Sequence, residues 1–159
     1  MSNIRIFVSH RIDIDSETVD TPVYFPVRCG AVYDEEGNSE IQGDDTGDNI
    51  SKLRMSFCEF TVQYWAWKNV DADYYGLCHY RRYLSFSDKR YKNTVFNMVR
   101  ELKLTPHEKK KYHLDDTKKI EKTVKQYDMI IPVVAKASEM SYNLSLIHIS
   151  EPTRPLYIS

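Results

Sequence analysis

Two consecutive arginines, Arg81 and Arg82, follow a short apolar run and a histidine in Asp73-Tyr74-Tyr75-Gly76-Leu77-Cys78-His79-Tyr80-Arg81-Arg82-Tyr83. Guanidinium groups donate forked hydrogen bonds to phosphate oxygens and offset their charge. A strand that delivers them to its C-terminal end therefore suits a doubly charged phosphate ester, because open α/β sheets bind ligands beyond the carboxyl ends of their strands. In an ideal strand the two side chains point to opposite faces. One of them can meet a ligand while the other pairs with a carboxylate from residues 44–48. The competing reading is that both arginines make structural ion pairs. His79 precedes them and has two readings of its own, a structural hydrogen bond or a phosphate contact.

The second candidate is the loop Gly43-Asp44-Asp45-Thr46-Gly47-Asp48-Asn49-Ile50-Ser51. Its acidic spacing fits no calcium-loop pattern. Its composition suits a loop that hydrogen-bonds itself. It equally suits a rim in which Asp44, Asp45, Asp48 and Asn49 bind ribose or sugar hydroxyls. Asp71-Ala72-Asp73 and Asp13-Ile14-Asp15 share a D-x-D spacing used to hold metals. Asp71 and Asp73, however, precede their strand, which is the wrong end for a ligand, and are expected to cap the helix–strand turn. His10, His107 and His113 lack metal-ligand spacing. With no P-loop, G-x-G-x-x-G or G-x-S-x-G, the NTPase, dinucleotide and hydrolase readings have no support.

The elements that must position these groups can be read from periodicity. Residues 4–10 are apolar and β-branched, a buried first strand. Residues 13–26 read as a loop and 27–33 as a short strand that Gly30 allows to bend. A turn follows at 34–38. Residues 54–69 read as one helix, with Phe57, Phe60, Tyr64 and Trp67 forming an aromatic stripe expected to face the core. The strand 74–79 comes next, then a polar loop at 85–92 and a helix at 93–104. Thr105-Pro106-His107-Glu108 has the chemistry of a helix start, with Thr as N-cap, Pro at the first helical position and Glu closing a capping box. Asp115-Asp116 would cap another helix to about residue 126, and 129–134 would be a last strand. The order ββαβααβ predicts an α/β sheet of mostly parallel strands.

The whole chain has 159 residues, 42% of them apolar, and a formal net charge of −1. That balance argues against a nucleic-acid binder working by bulk electrostatics. Cys29, Cys58 and Cys78 are odd in number and widely spaced, as expected of reduced thiols in a cytoplasm. The N-terminus lacks the features of a signal peptide, and no run has the length of a membrane span. A cytoplasmic protein is expected, at most peripheral at the inner face of the membrane. Residues 144–159 stand apart, because Leu144 to Arg154 back-translate into a sequencing-library adapter read in frame. They are expected to be an artefact, leaving 1–143 as native sequence cut before its natural end.

Three stretches together resemble a known family. They are Asp44-Asp45-Thr46-Gly47-Asp48-Asn49-Ile50-Ser51, Cys58-Glu59-Phe60-Thr61 with Tyr64-Trp65-Ala66-Trp67-Lys68-Asn69, and the strand ending in His79-Tyr80-Arg81-Arg82. With Tyr127-Asp128-Met129-Ile130-Ile131-Pro132, they are similar to the bacterial family known as domain of unknown function 4422. The resemblance implies a GT-A-like glycosyltransferase of capsular, exopolysaccharide or lipopolysaccharide biosynthesis; the alternative is a non-catalytic nucleotide- or glycan-binding module of the same fold. Residues 1–143 would then be its donor-binding part, and the catalytic base would come from a later half. The implied partners are a nucleotide-sugar donor, a UDP-sugar before others, and a glycan or lipid-linked glycan acceptor. In such folds a D-x-D usually holds Mn or Mg on the donor pyrophosphate. Here His79-Tyr80-Arg81-Arg82 fills that slot, so fixed cations are expected to do the metal's work. A domain cut short would also expose a sheet edge and aromatic surface, which predicts poor solubility.

Overall fold

A computed structural model describes residues 2–14, 16–35, 40–91, 98–132 and 156–158. The chain forms two compact units, Met1–Tyr80 and Arg81–Ser159.

The first unit is built on a parallel sheet in the order β3-β2-β1-β4, with β1 at Ile4–His10, β2 at Tyr24–Arg28, β3 at Gln42–Gly43 and β4 at Tyr74–His79. Ile4, Ile6, Phe7 and Val8 make β1 apolar on both faces, as suits a strand with neighbours on both sides. It aligns Ser9 with Val27 on one side and with His79 on the other. The strand expected at 27–33 instead begins at Tyr24, and Ala31–Tyr33 turn into a 3-10 helix. Pro26 is tolerated within β2, where it stands opposite Val8 of β1; β3 pairs only with Val27 and Arg28. Gly30, at φ 71, makes the bend that separates strand from helix.

The single helix expected at 54–69 is two helices, α1 at Arg54–Phe57 and α2 at Phe60–Asn69. The break falls at Cys58, which has φ 47 and ψ −129. A non-glycine residue there stores about 1–3 kcal/mol of strain. Its carbonyl holds the break closed by accepting from the Thr61 N–H and the Cys29 thiol, both at 3.2 Å.

The face of α2 that meets the sheet also differs from expectation. Thr61, Val62, Trp65 and Ala66 are buried, whereas Phe57, Phe60 and Trp67 point to solvent. Trp65 fits between two sheet rings, edge-on to Phe7 at 6.3 Å and stacked on Phe25 at 6.4 Å. With Val27, Cys29, Val62 and Ala66 they form the core. Both faces of α2 carry aromatic residues, so periodicity alone could not choose the inner one.

The second unit contains β5 at Arg82–Tyr83, β6 at Val99–Glu101, α3 at Pro106–Lys111, α4 at Thr117–Val124 and β7 at Leu156–Ile158. Strand β7 pairs with β5 in parallel and with β6 antiparallel. Of the helix expected at 93–104, residues 93–97 lie outside the described residues and 99–101 are a strand. Helix α3 starts at Pro106 as its sequence predicts, but the expected capping box does not form: the Thr105 side chain accepts no helix N–H and its hydroxyl donates instead to the Glu108 carboxylate. Helix α4 is capped by Asp116, which accepts from the Lys119 N–H at 3.0 Å. Tyr112, Leu114 and Ile120 are fully buried and form this unit's interior. Residues 129–132 are exposed and in no strand, while 133 and 134 lie outside the described residues.

Candidate strand-end site

In the first unit the carboxyl ends of β2, β1 and β4 lie side by side. Their backbones stay laced beyond the last strand pair, with Cys29 N–H donating to the His10 carbonyl at 2.8 Å and Tyr80 N–H to the Ser9 carbonyl at 3.0 Å. The result is a rigid rim, and the side chains on it are fixed by what each one touches.

His79 ends β4, half-buried between the Glu59 carboxylate at 3.5 Å and the Tyr80 ring at 4.2 Å. Glu59 can reach it because the break at Cys58 sets Glu59 as the residue before α2. His10 ends β1 and is buried. Its Nδ1 is 2.7 Å from the Ser16 hydroxyl and its Nε2 2.6 Å from that of Thr18. His10 thus pins the loop that follows β1, and that loop carries Arg11. Arg11 donates to Asp13 through Nε at 2.8 Å and through a second guanidinium nitrogen. That hydrogen bonding raises the Arg11 pKa and lowers that of Asp13, with Arg54 adding a smaller lowering to Asp13. Arg54 lays its methylenes over Gly30, where a Cβ would come within 2.1 Å of Cδ. Only glycine leaves room for that stem. Arg54, Arg11 and His79 therefore bring cationic or protonatable nitrogen to one rim. Arg28, by contrast, is committed to the Asp34 carboxylate and the Ile41 carbonyl.

The acidic loop is placed differently from a ligand rim. Asp44 is fully buried, and its carboxylate accepts four hydrogen bonds: Gly30 N–H and Ala31 N–H at 2.9 Å, and the Ser51 and Thr61 hydroxyls at 2.6 Å. It ties the turn after β2 to the start of α2. From there the loop runs along α2. Asp48 accepts from the Tyr64 hydroxyl at 3.1 Å, and its backbone exchanges two hydrogen bonds with the Asn69 side chain. Thr61 and Asn69 are about 12 Å apart along the helix axis, so Asp48 sits toward the far end of the sheet. Asn49 closes the loop on itself, donating to the carbonyls of Asp45 and Gly47 and accepting from Ser51 N–H. Asp45 keeps an exposed side chain. Asp71 and Asp73 do not cap the helix–strand turn as expected: the Asp73 carboxylate accepts from the Asn3 N–H and the Asp71 carbonyl from the Asn3 side-chain amide, both at 2.8 Å, at the amino edge of the sheet.

The predicted site residues therefore divide. His79 and the loop 44–49 belong to the first unit; Arg81, half-buried, and Arg82, exposed, belong to the second. Sequence reasoning missed His10, Arg11, Arg54 and Glu59. One signal was available: neighbouring strands end alike, in Ser9-His10-Arg11 and in His79-Tyr80-Arg81. For Arg54 and Glu59 no local signal existed, because the broken helix brings them to the rim.

The fold is a mixed sheet of mostly parallel strands flanked by helices, with charged side chains collected at strand carboxyl ends. A family model described as domain of unknown function (DUF4422) matches residues 5–155, and the chain belongs to that family. The chain is also similar to a solved structure, the apo form of the bifunctional glycosyltransferase WbbM. Sequence identity is 34% and the TM-score 0.63, over 70% of this chain and 20% of that one. The matched part is thus about a fifth of that protein's length. No curated protein matches the chain. Among the described residues no helix is long and apolar enough to cross a membrane.

Proposed function

We propose that this chain is the donor-binding part of a glycosyltransferase that takes a sugar from a nucleotide-sugar, UDP-sugars before others. The acceptor is a glycan or lipid-linked glycan of capsular, exopolysaccharide or lipopolysaccharide synthesis. The likeness to a glycosyltransferase carries this reading. The strand ends support it with chemistry suited to a departing nucleoside diphosphate.

In this reading His79, Arg81 and Arg82 face the diphosphate. The fixed positive charge of Arg81 and Arg82, with a hydrogen bond from His79, stabilises the leaving group as the sugar–phosphate bond breaks, which is the work a divalent cation does elsewhere. Within the loop 44–49, Asp45 offers its carboxylate to ribose or sugar hydroxyls. Asp44, Asp48 and Asn49 act indirectly, by holding the loop against α2. Residues 144–159 are read as adapter sequence; the genomic reading frame beyond Asn143 tests that reading directly.

Titration calorimetry of the 159-residue chain with UDP and UDP-sugars tests donor binding. Each lost charge-assisted hydrogen bond is worth about 1.5–3 kcal/mol. His79→Ala and the double change Arg81→Ala/Arg82→Ala should therefore each weaken UDP binding about tenfold or more. A chain that binds no nucleotide, or variants that bind as the parent does, would overturn the assignment. Sugar transfer by the full-length gene product should persist in EDTA. Strict dependence on manganese would return the diphosphate to a metal.

A further inference from the structure

The fold leaves the charge of Arg54 unanswered. Its guanidinium, half-buried at the start of α1, makes no hydrogen bond or ion pair among the described residues. The carboxylates around it are committed elsewhere. Asp13 is held by Arg11, and Glu59 faces His79 at 3.5 Å. Asp44 meets the same Gly30, yet gives its oxygens to two backbone N–H groups and two hydroxyls. Arginine is seldom withdrawn from water without a partner, because an uncompensated charge opposes folding.

The position is built, and it is built at the strand ends. Gly30 stands two residues past β2. A Cβ there would come within 2.1 Å of the Arg54 Cδ and 2.9 Å of its Cγ, so only bare backbone admits the stem. Burial raises the Cys29 thiol pKa after β2, and the charge of Arg54 offsets part of that rise. The same charge adds to the lowering that Arg11 imposes on Asp13 after β1. The guanidinium thus lies within reach of the carboxyl ends of both strands, the edge where an open α/β sheet meets its ligand. Its planar fork matches phosphate oxygens.

We propose that Arg54 is a donor-binding residue, whose guanidinium takes a phosphate of the nucleoside diphosphate, and that Gly30 is the opening through which its stem reaches the rim. The assignment rests on the donor reading above and adds to it a cation from the first unit.

Titration calorimetry of the 159-residue chain with UDP tests it. Arg54→Gln keeps carbon at Cβ, Cγ and Cδ, so the cover over Gly30 survives while the charge is lost. UDP binding should weaken about tenfold or more, as expected for one charge-assisted hydrogen bond. Arg54→Lys keeps both stem and charge and should recover part of that loss. Gly30→Ala, whose methyl group evicts the stem, should lose as much as Arg54→Gln, and the double variant no more than either. If Gly30→Ala unfolds, the Gln and Lys variants decide. A stem that serves packing alone predicts parent-like binding by both of them. That result would overturn the assignment of Arg54 while UDP binding by the parent leaves the donor reading standing. A parent chain that binds no UDP would overturn both.

Discussion

Asp44 shows how far a residue's role can lie from its chemistry. In sequence it is one of three carboxylates on a plausible sugar-binding loop. In the structure all of its acceptor capacity goes to Gly30, Ala31, Ser51 and Thr61. A carboxylate taken from water survives burial only when its lone pairs are filled in this way. Asp44→Ala would strand two backbone donors and two hydroxyls. At about 1–3 kcal/mol for each group that stays unsatisfied, with some rescued by water, the loss should be about 3–5 kcal/mol in urea unfolding. Thr61→Ala removes a single donor to that buried carboxylate and should cost about 1.5–3 kcal/mol. An Asp44→Ala chain as stable as the parent would show that the cluster does not bind the loop to α2.

At the scale of elements, caps and breaks outperform periodicity. Pro106 and Asp116 start their helices where the sequence places them, because a first-turn proline and an acidic cap need only neighbours in the chain. Asp116 also makes a pH prediction. The Lys119 N–H, and then His113, lower its pKa below the usual 3.8. A lowered carboxylate stabilises the fold above that usual value, and its contribution is lost as pH falls below it. Near neutral pH, Asp116→Ala should reduce stability by about 1 kcal/mol, the usual worth of an N-cap. The gap between variant and parent in thermal melts should close below pH 3.8. A gap that stays constant to lower pH would mean that the helix does not depend on the ionised cap. Helix α2 is the contrary case. Its aromatic stripe is real, but the niche between Phe7 and Phe25 takes Trp65 from the opposite face.

At the scale of the molecule, the buried thiols report on the sheet as a whole. Burial raises the pKa of Cys78 on β4 far above the ordinary thiol range and raises that of Cys29 after β2, while Cys58 is half-buried. Reactivity follows thiolate content and access. Ellman titration of the native chain should therefore find Cys58 first, with Cys29 and Cys78 reacting only as fast as the sheet opens. Equal rates for all three would show that this core is not closed in solution.

The sequence by itself determined the parallel α/β class, the strands β1 and β4 and two helix starts. Each depends on neighbours in the chain or on a run that no other environment tolerates. Tertiary structure alone decided which face of α2 is inside, that Asp44 is a buried clamp, and that Arg54 and Glu59 reach the rim. Those outcomes depend on competition among side chains distant in sequence. Phe7, Phe25 and Val27 admit one ring, Gly30 admits one arginine stem, and the strained turn at Cys58 aims Glu59 toward His79.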